Sequence, residues 1–217
     1  MPRGRRAVAT GRMPTAYNKI MLRACGGARF PMVAAHMVTV FSRLAWFAVG
    51  LLVATAALGL WIGDLHGATD PRLLRWATVH RLSGVLTALV VVLVNSMAVT
   101  YFIGTGRWCR EVAETYGLDP VLVERSRRLK RRAFPLSLAG MLAVVAIVAL
   151  GGAADPATGR RGSTDWVVPH LVGGIGLTGL IAWSFQAQVP GIRRQQELIA
   201  DVMDAVRHER AARGLDV

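Results

Sequence analysis

The chain has 217 residues, 53% of them hydrophobic and only 18% charged, yet 26 Lys and Arg against 13 Asp and Glu give a formal net charge of +13. So few charges exclude a soluble nucleic-acid binder, and so many hydrophobic residues exclude a disordered chain. The two cysteines, Cys25 and Cys109, have no CxxC partner and cannot build a disulfide scaffold.

A membrane protein with its scarce charges sorted to one side fits these numbers. Residues 1–43 carry eight basic residues and no acid. The first 36 read as an amphipathic surface segment, a targeting sequence or the product of an upstream start site; the apolar core and cleavage site of a secretory signal are missing. Four uncharged runs follow, over 44–63, 82–106, 133–154 and 166–192, with 20, 25, 22 and 27 residues. At about 1.5 Å per residue, roughly 20 residues cross a bilayer core of about 30 Å. Spans are therefore predicted over 44–63, 82–106, 133–154 and 166–189. Trp46 and Trp61 near the ends of the first, and Tyr101, Phe102 and Trp108 at one end of the second, suit interfacial depths.

Two further short helices are expected between and after the spans. Asp119 and Pro120 make an N-cap and first-turn pair for a helix running towards Pro135. Pro190 and Gly191 are expected to interrupt the fourth helix. Beyond them, Leu198, Ile199, Val202, Met203 and Val206 form an apolar stripe, with Gly214 as a stop. The stripe suits the membrane surface, a partner, or the connection between spans two and three.

Basic residues set the orientation. The segment before span one, the connection between spans two and three, and the tail hold eight, eight and five of them. The other two connections share only Arg72, Arg75, Arg81, Arg160 and Arg161. This split places both termini in the cytoplasm, as expected of a bacterial inner-membrane protein, with anionic lipid as a candidate partner at the cytoplasmic face. The expected fold is an all-α integral membrane four-helix bundle built from two tandem transmembrane hairpins, with cytoplasmic amphipathic helices. Its parts are a basic segment (1–43), the four-span domain (44–189) and an amphipathic tail (190–217).

The hairpins repeat. Gly67-Ala-Thr-Asp70-Pro71 followed by Trp76-x-x-x-His80-x-x-x-Gly84 matches Gly152-Ala-Ala-Asp155-Pro156 followed by Trp166-x-x-x-His170-x-x-x-Gly174. Upstream, Ala57-Leu58-Gly59 parallels Ala149-Leu150-Gly151. Asp-Pro turns and interfacial Trp are common in such loops, but they do not account for a His and a Gly at matched positions. A hairpin repeated in one orientation implies a pseudo-two-fold axis along the membrane normal. His80 shares a helix face with Gly84, Thr87, Val91 and Asn95, and His170 shares one with Gly174, Leu177, Ile181, Ser184 and Gln188. Faces this polar or small point into the bundle, so the two histidines should oppose each other at similar depth.

That arrangement suits two axial ligands of one haem b iron, with Gly84 and Gly174 leaving room for the macrocycle and Arg81 beside it. A shared hydrogen-bonding or quinone-type site is a second reading of the pair, and a structural role a third. His66 lies on the same side as a further metal-ligand candidate. Gly174-Ile-Gly176-Leu-Thr-Gly179 matches a dinucleotide fingerprint, but it lies within an uncharged run and lacks the preceding strand. Its glycines suit close helix approach or a flat cofactor. The functional expectation is a bis-histidine membrane protein for electron transfer or haem handling. The alternatives are a cofactor-free structural or assembly subunit of a larger membrane complex, and a small transporter using Asn95, Gln186 and Gln188.

Four spans, with Trp76, His80, Arg81, Leu82 and Gly84 on the second and His170 and Leu171 on the fourth, resemble one four-helix half of haem A synthase, over roughly 44–189. The resemblance implies one haem held by histidines of the second and fourth helices. Ala77 stands where that family has an acidic residue three positions before its His-Arg pair, and the family's paired cysteines of the first outer loop are absent. The stretch from His80 to Gly84 is also similar to a quinone-site motif in the membrane anchor of succinate dehydrogenase. That motif belongs near the cytoplasmic side of a first span.

Overall fold

Four helices account for most of the residues described by the computed structural model, 36–214, and no strand occurs among them. They are α1 (Met37–Ile62), α2 (Pro71–Tyr116), α3 (Pro120–Ala154) and α4 (Val167–Ala212). Two short 3-10 turns, Pro156–Thr158 and Ser163–Trp166, lie between α3 and α4. Neighbours in sequence pack side by side, α1 meets α4, and α2 and α4 also touch across the bundle. Residues 1–35, including the basic segment up to Arg29 and Cys25, lie outside the described residues.

All four helices are long and apolar enough to cross a membrane. Their outer faces carry large apolar side chains in the open, among them Trp46, Leu89, Leu93, Val145, Val172 and Trp183. Water would not tolerate apolar patches of this extent on a monomer, whereas lipid would. Inside, Phe41, Val91, Val94, Phe102, Val144 and Phe185 form the core, with Phe41 and Phe185 edge to face at 6.0 Å.

The helices outrun the uncharged segments. α2 has 46 residues, so it is roughly 70 Å long, more than twice a bilayer's apolar thickness. What the sequence suggested was a loop with one short helix between spans two and three is a helical hairpin. Only residues 117–119 are non-helical: Gly117 turns the chain at φ 68°, and Asp119 caps α3 by accepting from the Val121 N–H at 2.8 Å. The expected short helix does start at Asp119-Pro120, but it continues through Pro135 into the third span.

The interruption expected at Pro190 does not occur either; α4 runs through it. A proline removes one backbone hydrogen bond and crowds the preceding turn. Here the flanking turns are held by burial of Phe185, Gln188, Ile192 and Gln195. Beyond the proline, Leu198, Ile199, Val202 and Val206 are buried, so the stripe docks back on the extensions of α2 and α3. Polar ties confirm the docking. Arg125 pairs with Asp201 at 3.0 Å, and Arg213 donates to the Tyr116 carbonyl at 3.1 Å.

Candidate functional site

Where α1 ends and α2 and α4 begin, the four helices enclose a cavity of about 560 Å³. Small-molecule and cofactor sites usually fall between about 300 and 1,000 Å³. His80, Arg81 and Gly84 of α2 line it with His170 and Gly174 of α4, so the five residues singled out in the sequence converge there. The imidazoles meet across the bundle with ring centroids 6.3 Å apart and planes at 71°. Helical register aims them: Thr87, Val91 and Asn95 below His80, and Ile181, Ser184 and Gln188 below His170, are all buried.

Each histidine is seated on a glycine of the preceding helix. A Cβ on Gly59 of α1 would stand 2.8 Å from His80 Cε1, and one on Gly151 of α3 would stand 3.1 Å from His170 Cε1. A side chain at Gly59 would force the His80 ring to shift and one at Gly151 would press on the His170 ring, so glycine lets each ring sit close to its neighbour. One turn upstream of Gly59, the Thr55 carbonyl lies 3.1 Å from His80 Nδ1. A carbonyl only accepts, so the proton sits on Nδ1 and the lone pair is on Nε2. Ile147 occupies the matching place before Gly151 and lines the same cavity. No hydrogen bond of normal geometry closes on the buried His170 Nδ1, however. The two seats match in design, and that of His170 is the looser.

No protein-family model matches the chain, and no curated protein or solved structure does.

Space beside the rings is kept by Gly84 and Gly174. A Cβ on Gly84 would meet only Thr55 Cγ2 at 4.0 Å, and one on Gly174 would meet nothing within 4 Å. Gly176 and Gly179 likewise contact nothing, so the fingerprint glycines do not serve close helix approach. Gly173 does: a Cβ there would fall 2.6 Å from Leu150 Cδ1. At the rim, Arg81 pairs with Asp155 at 3.0 Å. Asp155 also accepts from the Ala157 N–H at 2.9 Å, as Asp70 accepts from the Arg72 N–H at 2.9 Å to start α2.

His66 does not join the pair. Its Nδ1 bonds Asp64, and its Nε2 lies 2.8 Å from Ser163 Oγ across 97 residues of chain. These distances imitate a serine-hydrolase triad, but the burial is reversed. A hydrolase buries its carboxylate and opens its serine to substrate; here the Asp64 side chain is 49% exposed and Ser163 only 6%. The three residues clamp the α1–α2 connection to the α3–α4 connection. The bond from His66 holds the Asp64 carboxyl below its ordinary range, so that link is intact at neutral pH and is lost as pH falls through the lowered value. Ser163→Ala should leave the helices intact and speed amide hydrogen exchange at 63–70 several-fold, because one clamp bond is worth about 1 kcal/mol. No group of three or more His, Cys, Asp or Glu side chains forms a metal site among the described residues.

Further along the bundle the core is polar. Gln188 Nε2 donates to Asn95 Oδ1 at 3.3 Å, and its Oε1 accepts from Ser137 Oγ at 2.8 Å. Gln186, named with them as a transport candidate, is exposed on another face. Asn95 of α2, Ser137 of α3 and Gln188 of α4 are thus bonded to one another, which makes them interhelical ties.

Proposed function

We propose that the chain is an integral membrane protein that holds one haem b between His80 and His170 and serves electron transfer or haem handling. The observation that carries this reading is the pair of imidazoles on matched glycine seats, facing each other across a cofactor-sized cavity. An imidazole nitrogen bonds a transition metal at about 2 Å, so two rings on opposite sides of one ion have centres about 6 Å apart once half of each ring is added. The separation of 6.3 Å suits this. The Nδ1 proton of His80 is committed to a backbone carbonyl, as ring nitrogens of metal-ligating histidines usually are. The residues present therefore fit the group. His80 and His170 would hold the group, Gly84 and Gly174 would leave it space, and Arg81, paired with Asp155, would stand at its rim. When bound, haem supplies one-electron chemistry.

The matched seats also support reading α1–α2 and α3–α4 as tandem copies of one hairpin. On that reading the cavity lies at the outer side of a bacterial inner membrane, and the basic ends of α2, α3 and α4 lie in the cytoplasm. This agrees with what likeness to half of haem A synthase implies. Ala77, 1% exposed, puts a methyl group where that family has its acid, so the proposal stops at haem binding and carries no oxidation of the macrocycle.

Protein purified from haem-replete cells is expected to show a Soret band and, on reduction, an α-band. A colourless preparation overturns the proposal. It would favour the second reading, a cofactor-free structural or assembly subunit. The long charged extensions of α2, α3 and α4 suit that role, and fixed partners should then co-purify.

A further inference from the structure

A second cavity, of about 250 Å³, opens between α2 and α3 at the opposite end of the bundle. Arg107 and Arg110 of α2 and Arg127 and Lys130 of α3 wall it, and Gly106 and Ser126 form its back. Gly106 brings the helices together, since a Cβ there would lie 3.3 Å from Ser126 Oγ. Ser126 is buried and bonded by Gln195 of α4, whose amide also donates to Thr105 at 3.1 Å. Three helices therefore hold the back of the cavity in place.

Depth and charge both point to the occupant. Gly106 ends the uncharged run 82–106 and Arg107 is the first charge after it. The cavity thus begins where the apolar zone stops, with the half-exposed Ile103 on the apolar side. Of its four cations, Arg107 is paired with Glu111 at 2.7 Å, and Arg127 is approached by Glu124 at 3.9 Å. Arg110 and Lys130 make no ion pair among the described residues, leaving two cations uncompensated at one small opening. Like charges held together repel unless an anion joins them.

We propose that this cavity binds the phosphate headgroup of an anionic phospholipid, gripped by Arg110 and Lys130, with its acyl chains running along Ile103. Guanidinium and ammonium groups recognise phosphate oxygens by charge-assisted hydrogen bonds, and basic pockets between membrane helices suit such headgroups. Inorganic phosphate shares the headgroup chemistry but has no chain for the apolar side to hold. The inference is independent of any cofactor at the histidine end.

Native mass spectrometry of the full chain in mild detergent tests it, with phosphatidylglycerol or phosphatidylcholine added. Wild type should retain one phosphatidylglycerol, Arg110→Gln/Lys130→Gln should reduce retention about tenfold or more, and Arg131→Gln/Arg132→Gln should not. The second pair is exposed, removes the same charge and lies outside the cavity. Equal loss in both double variants, no loss in the first, or equal retention of phosphatidylcholine overturns the proposal. So does complete displacement of the lipid by millimolar inorganic phosphate, which would assign the site to the soluble anion. On wild type alone, retention should weaken as salt rises; salt-independent retention also refutes it.

Discussion

Alanine at either His80 or His170 is expected to abolish the Soret and α-bands of the purified protein, each substitution alone being sufficient. On the proposed reading both imidazoles would hold the group, so losing either one would remove half of what holds it. Added imidazole should restore absorbance to each alanine variant, because the vacated volume matches the missing ring; a merely structural histidine would give no such recovery. Gly59→Val should have the same outcome with both histidines still in the sequence. A Cβ alone falls 2.8 Å from His80 Cε1, and two more methyl groups must push the imidazole off its seat. His66→Ala should leave the spectrum unchanged, since its ring belongs to the clamp between the two connections. Bands that survive in both His80→Ala and His170→Ala would refute the assignment of the site.

Much of the fold was legible in the sequence, and the differences have definite physical causes. Absence of charge located the four helices, because a charge within a bilayer core is costly. The same criterion set the helix ends too early. Residues 107–116 are charged yet helical, whereas the helix from Asp119-Pro120 and the apolar stripe on α4 were both legible and only the packing of one on the other was left open. At Pro190 the local preference of one residue lost to the burial of Phe185, Gln188, Ile192 and Gln195 on either side. The histidine pair was legible from the repeat. Its seats were half legible: the Ala-Leu-Gly triplets stood out as parallel, but no spacing says that Gly59 and Gly151 face a ring on the next helix. The Asp64–His66–Ser163 clamp was not legible at all, because it joins loops 97 residues apart in which neither local pattern nor period specifies contact.

The polar middle of the bundle sets the second large effect, at Gly140 of α3. A Cβ at this position would lie 2.9 Å from Asn95 Nδ2, 3.1 Å from Asn95 Oδ1 and 3.2 Å from Ser184 Oγ. Neither neighbour can withdraw easily. Asn95 and Ser184 are both fully buried, Asn95 donates to the Val91 carbonyl at 2.9 Å and Ser184 to the Ile181 carbonyl at 2.8 Å. Asn95 Oδ1 is in turn the acceptor that ties α2 to Gln188 of α4. Gly140→Leu therefore overfills a packed site, at about 1–3 kcal/mol, and also breaks an interhelical hydrogen bond worth about 0.6 kcal/mol in a membrane bundle. A loss of roughly 2–4 kcal/mol is expected in denaturant unfolding of the detergent-solubilised protein. Gly104→Leu on α2 is the matched control, because a Cβ there meets nothing within 4 Å, and it should change stability little. The closest clash is with Asn95, so Gly140→Ala should cost less in an Asn95→Ala background than in wild type. If Gly140→Leu unfolds at the same denaturant concentration as Gly104→Leu, α2, α3 and α4 do not meet at this layer.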